Sequence, residues 1–135
     1  MARSGLRLLL ALFYTVAGIF HLATPSPFLT ITPPWVPAPA AVVTLTGIAE
    51  IIGATGLAQS WSKRLRQAAG IGLALYALCV WPANVQHMLL DLASEDGGLG
   101  LAYHVARLAF QPVLIWLALW TGEVTDRPFA RRNGI

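Results

Sequence analysis

Residues 39–60 read PAAVVTLTGIAEIIGATGLAQS, twenty-two positions with a single formal charge, Glu50. A hydrocarbon core is about 30 Å thick, and a helix rising 1.5 Å per residue crosses it in about 20 apolar residues. One such stretch could still be the buried helix of a soluble protein. Its neighbours decide otherwise. Residues 8–23 carry no charge, residues 67–90 carry none, and residues 99–121 carry only Arg107. Four such helices in 135 residues would leave almost no polar surface. The expected fold is therefore all-α, an integral membrane four-helix bundle forming one domain over residues 1–135. Residues 1–24 also fit a cleaved signal peptide, because Arg3 and Arg7 precede an apolar run; three spans would then remain.

Composition supports the membrane reading. Hydrophobic residues make up 56% of the chain and charged residues 11%, with a mean hydropathy of +0.64. Soluble domains hold about 45–50% apolar and about 25% charged residues. A soluble globular domain and a disordered chain are both excluded. The net charge of +3 does not indicate nucleic-acid binding, because the basic residues sit between apolar runs and form no binding face. The single cysteine, Cys79, rules out an intrachain disulfide framework and a thiolate metal cage. It sits in an apolar run and reads as inert filler.

Charge also predicts direction. Arg3 and Arg7 precede the first span, Lys63, Arg64 and Arg66 lie between the second and third, and Arg127, Arg131 and Arg132 follow the fourth. The other side carries Asp91, Glu95 and Asp96. Cytoplasmic loops are rich in Lys and Arg, so both termini are expected in the cytoplasm and the acidic loop outside, in the periplasm of a bacterium. Trp61, Trp116 and Trp120 suit an interfacial belt on the basic side. Residues 123–135 read as a flexible basic tail able to touch anionic lipid.

Residues 24–38 hold Pro25, Pro27, Pro33, Pro34 and Pro37 together with Phe28, Leu29, Ile31 and Trp35. Proline fixes φ and removes a donor, so no regular helix is expected there. The segment reads as a stiff, half-buried lid on the outer face, or as a loop anchored by Trp35 in the headgroups. Pro82 and Pro112, inside the third and fourth spans, are expected to kink them. Gly47, Gly53, Gly56, Gly70 and Gly72 are expected at close helix contacts.

Ionisable groups inside a span are expensive and usually face the bundle interior. Glu50 lies ~16 Å and Arg107 ~12 Å from the outer ends of their spans, close enough in depth to suggest a salt bridge. His104, Arg107 and Gln111 share a helix face, as do Asn84, His87 and Asp91, and Tyr14, Gly18 and His21. All of these polar residues fall in the outer half or near the midplane, and the inner half is nearly all apolar. One reading is a polar pocket under the proline-rich segment, holding His21, Glu50, Asn84, His87, His104 and Arg107. It could take a quinone ring or a similar polar head, or relay protons. The other reading is interhelical glue. The histidine spacing follows no metal-ligand pattern, so no metal site is expected.

Four segments carry a resemblance to a known family. They are Ala17-Gly18-Ile19-Phe20-His21, Pro33-Pro34-Trp35-Val36-Pro37, Gly47-Ile48-Ala49-Glu50-Ile51-Ile52-Gly53 and Trp81-Pro82-Ala83-Asn84-Val85-Gln86-His87-Met88. In this order and spacing the chain resembles the DoxX family of small four-helix membrane proteins over about residues 12–120. The resemblance implies a bundle in the bacterial cytoplasmic (inner) membrane and points to His21, Trp35, Pro37, Glu50, Pro82 and Asn84. It also implies a redox-linked membrane subunit, with a protein partner or a bound quinone. Relatives linked to disulfide formation need a cysteine pair that this chain lacks. Whether the chain is catalytic or a scaffold is left open by the residues.

Overall fold

The computed structural model describes residues 2–128. It is all-helical among those residues, with four long helices and one short one: α1 (Ala2–Ala23), α2 (Ser26–Ile31), α3 (Pro39–Ala58), α4 (Lys63–Ala93) and α5 (Leu101–Thr121). The four long helices are each long and apolar enough to cross a membrane. They form an up-down-up-down ring in which α1 packs on α3 and α5, and α4 packs on α3 and α5. Leu9, Leu12, Phe20, Leu45, Ile52, Leu75 and Leu78 point outward and are exposed. An apolar belt of this extent suits lipid rather than water. The interior holds Leu10, Tyr14, Ala54, Leu57, Leu73, Ala77, Leu114 and Ala118.

Small residues set the two tightest crossings. A Cβ on Gly18 would lie 2.7 Å from the Gly47 carbonyl, and one on Gly47 would lie 2.8 Å from the His21 Cβ. The α1 and α3 backbones therefore touch at Gly18 and Gly47; because the helices run antiparallel, His21 sits against Gly47 and Glu50 against Gly18, and the two side chains meet across this crossing. A Cβ on Gly70 would lie 2.7 Å from the Ala118 carbonyl, which brings α4 equally close to α5. Gly53 and Gly56 meet Leu73 and Ala69 of α4. Gly72 has open space around it, so the expected packing role does not hold there.

The arginine-rich end is a charged knot. Arg66 Nη2 lies 2.9 Å and Arg7 Nη1 3.6 Å from the same Glu123 carboxylate oxygen. Arg3 pairs with Asp126 at 2.6 Å and lies over the Trp120 ring. Glu123 thus belongs to the bundle and not to a free tail, and the inner half is less uniformly apolar than its sequence suggested. Residues 129–135, with Arg131 and Arg132, lie outside the described residues. Trp120 is buried and stacked on Trp116, whereas Trp61 is exposed as an interfacial residue would be.

Two features depart from the sequence expectation. The proline-rich segment contains a six-residue helix, α2, whose first turn takes Pro25 and Pro27 at positions where the missing N–H has no intrahelical partner anyway. Pro82 and Pro112 lie inside α4 and α5, where the sequence placed them. Finally, α1 begins at Ala2 and α4 spans 31 residues against 20 for α3. The excess of eleven residues is roughly 16 Å. A short turn joins α3 to α4: Gln59 bonds Gly56 O, Ser62 O and Ser62 N, and Ser62 caps α4. The surplus of α4 therefore projects at the opposite end, beyond the start of α3.

Candidate functional site

A cavity of about 510 Å³ opens inside the bundle at the end bearing the proline-rich segment. All five helices and the segment after α2 contribute to its wall, among them Tyr14, His21, Phe28, Trp35, Glu50, Tyr76, Asn84, Arg107 and Gln111. Four of the six residues expected at a polar pocket are therefore on one wall: His21, Glu50, Asn84 and Arg107. His87 and His104 are not.

Glu50 is the centre of the polar wall. It is 3% exposed, and among the described residues its ion-pair contact is with His21, whose Nδ1 lies 2.9 Å from Oε2. The same Nδ1 lies 2.9 Å from the Ala17 carbonyl one turn back on α1. One N–H cannot point along both directions. The aligned bond goes to Ala17, and Oε2 is left buried without an aligned donor. The Tyr76 hydroxyl is turned toward the same carboxylate. Tyr14, 2% exposed, also faces Glu50, and its hydroxyl has no hydrogen-bond partner. A buried carboxylate oxygen and a buried phenol, both with unmet bonding capacity, thus share the wall of one cavity.

The proline-rich segment closes this site from above. Phe28 of α2 stacks on the His21 ring, with centroids 3.7 Å apart and planes 23° apart. Ile31, Thr32, Pro33, Trp35 and Val36 also line the cavity. Trp35 is nonetheless 71% exposed, so one segment supplies both a cavity wall and an outward indole. Pro37 stands outside the lining, before Ala38, which holds a left-handed φ of 46° at the start of α3.

The expected Glu50–Arg107 salt bridge is absent. Arg107 Nη1 instead donates to His87 Nδ1 at 2.8 Å. The cause is the length of α4: the α4–α5 hairpin stands above the start of α3, so equal residue counts from each helix end do not mean equal depth. His87 and His104 belong to a second cluster at the hairpin tip. His104 is fully buried, and its Nε2 donates to Asp91 Oδ2 at 2.8 Å, while Asp91 also accepts from the Leu99 N–H at 2.9 Å. His87 Nε2 lies 3.6 Å from the same oxygen.

His87, Asp91 and His104 bring three ligand-type atoms within 4.8 Å of one another. The hydrogen bonding does not suit a metal. Arg107 can only donate, so His87 Nδ1 accepts and Nε2 carries the proton. A metal on Nε2 would move that proton to Nδ1, against the guanidinium. The cluster is better described as a set of linked groups that ties α4 to α5 and to the Leu99 turn, with the buried His104 Nδ1 left without a hydrogen-bond partner.

Several wall residues carried little sequence signal. Tyr14 could have been found, since it shares a helix face with Gly18 and His21. Tyr76 is a lone tyrosine in an apolar run, and nothing local marks it. Gln111 is buried and donates to the Ala77 carbonyl at 2.6 Å, a bond made next to the carbonyl that Pro82 frees on Leu78. Cys79, read as filler, is exposed and lines the cavity.

No curated protein and no solved structure matches the chain. A family pattern does match, over residues 10–122, which span the cavity wall and the hairpin cluster. The chain belongs to the family described as a domain of unknown function (DUF8561).

Proposed function

We propose that the cavity binds the polar head of a membrane amphiphile, a quinone-type ring or a similar hydroxyl-bearing head, and exchanges a proton with it at Glu50. The observation that carries this reading is the unsatisfied Oε2 of Glu50 beside the unpartnered Tyr14 hydroxyl, on the wall of a 510 Å³ cavity. Ligand pockets are mostly apolar spaces with a few placed polar groups, and intramembrane carboxylates mark ion and proton routes. Glu50 would accept the proton of a ring hydroxyl, with His21 beside it. Tyr14 would donate to a ring oxygen, and Asn84 and Arg107 would supply further donors from α4 and α5.

On this reading the protein sits in a bacterial cytoplasmic membrane with both termini cytoplasmic, because eight of its nine basic residues fall at one end. The resemblance to the DoxX family supports a redox-linked subunit whose partner carries the electrons. The hairpin cluster of His87, Asp91 and His104 has a structural role, because its bonds join α4, α5 and the Leu99 turn. Calorimetric titration of the detergent-solubilised protein with a decyl-substituted benzoquinol tests the proposal. Glu50→Gln should weaken binding at least tenfold without lowering the melting temperature. Undiminished binding by Glu50→Gln, or no binding by the unaltered chain, would refute it and favour a scaffold.

A further inference from the structure

We infer that the cavity is entered sideways from the lipid, between α1 and α5, and that its occupant carries a long apolar chain lying along α1. This rests on the proposal that the cavity binds an amphiphile head.

At the arginine-rich end α1 is fastened to the chain just after α5 by Arg3 with Asp126 and Arg7 with Glu123. At the cavity level no hydrogen bond or ion pair joins the two helices among the described residues. There Phe13 of α1 and Tyr103 and Phe110 of α5 line the cavity and yet are 45–49% exposed. A side chain that borders an internal cavity and also faces outward marks the lip of an opening. This opening faces the apolar belt, so what passes through it comes from lipid.

A groove of about 510 Å³ lies beside that lip on the outer face of α1, lined by Leu9, Leu12, Phe13, Val16, Ala17 and Phe20. It shares Phe13 and Ala17 with the cavity. From Leu9 to Phe20 it runs roughly 16 Å along the helix, and its lining is wholly apolar. A head against Glu50 and a hydrocarbon chain in this groove would form one continuous ligand. A second groove, along α4, shares Pro33, Trp35 and Pro82 with the cavity. Trp35 and Cys79, exposed and lining the cavity, give it an edge on that side too, but Gln86 interrupts the apolar lining of that groove, so this route is less suited to a chain.

The test compares two probes in the same detergent: 2,3-dimethoxy-5-methyl-1,4-benzoquinol, and the same ring with a decyl chain. Val16→Trp fills the α1 groove at a lipid-facing position. It should weaken binding of the decyl probe at least tenfold and leave the chainless ring unchanged. Val85→Trp, in the α4 groove, should alter neither. Comparing variants in one detergent cancels partitioning of the chain into micelles. Binding of both probes with no effect of Val16→Trp, or with the loss at Val85→Trp instead, would overturn the α1 route and leave the cavity reading standing. Binding of neither probe by the unaltered chain would overturn both.

Discussion

Replacing Gly18 with alanine is the sharpest structural test of how this site is assembled. The added methyl would lie 2.7 Å from the Gly47 carbonyl, 2.8 Å from Ile51 Cγ1 and 3.2 Å from Glu50 Cβ. Ordinary contact begins near 3.4 Å. The carbonyl is backbone and cannot rotate away, so α1 must retreat from α3 by about 0.7 Å, the difference between 3.4 and 2.7 Å. His21 and Glu50 meet across this crossing, and their 2.9 Å approach would open to about 3.6 Å if the helices part as rigid rods. Overpacking of this kind costs about 1–3 kcal/mol. That is a factor of about 5 to 150 in the folded-to-unfolded ratio. Gly72→Ala is the matched control, because a methyl there meets nothing within 4 Å. It should be neutral or stabilise by up to about 1 kcal/mol through helix propensity. Unfolding of both variants and the parent in mixed micelles, followed by circular dichroism, gives the comparison. Equal stability of Gly18→Ala and the parent would refute the close α1–α3 crossing and the positioning of Glu50 that follows from it.

Other consequences can be checked separately. Glu123→Gln removes the carboxylate shared by Arg7 and Arg66 and should destabilise by about 1.5–3 kcal/mol, read as a lower melting temperature. Asp91→Asn should speed hydrogen exchange at the Leu99 amide and loosen the turn before α5, leaving the cavity intact. Asp96 accepts from the Gly98 N–H and the Ser94 hydroxyl, which hold its carboxyl below the ordinary aspartate value of 3.8. Its folded pKa is thus depressed, so its contribution to the turn is complete above that value and is lost as pH falls below it. Amide exchange at Gly98 measured between pH 5 and pH 2.5, corrected for intrinsic rates, should show protection lost only at the acidic end. A reporter fused after Ile135 should be active only as a cytoplasmic fusion.

Much of the fold was legible because membrane spans obey a simple length rule. The segments 8–23, 39–60, 67–90 and 99–121 overlie α1, α3, α4 and α5, and the α3 start at Pro39 was read directly. The extra length of α1 and α4 was not, because Arg3, Arg7, Lys63 and Arg64 lie outside the apolar run and hydropathy cannot say whether charged flanks stay helical. That one uncertainty propagated to the site. Counted from the outer ends of 39–60 and 99–121, Arg107 is level with Glu50; because α4 outruns α3 at that end, Arg107 lies beside His87 instead. The gathering of His21, Glu50, Asn84 and Arg107 on one wall followed from helix-face arithmetic. The absence of a Glu50–Arg107 pair did not, since a cavity between helices leaves no trace in residue spacing. Helix α2 escaped because proline was weighed by its average effect and not by its position in the first turn.

The central claim is that a membrane amphiphile places its head against Glu50. Native mass spectrometry of the protein released from mild detergent tests it most directly. The account predicts a retained small amphiphile on the unaltered chain that is lost from Glu50→Gln. A bare unaltered chain, or one holding only another protein, would contradict it.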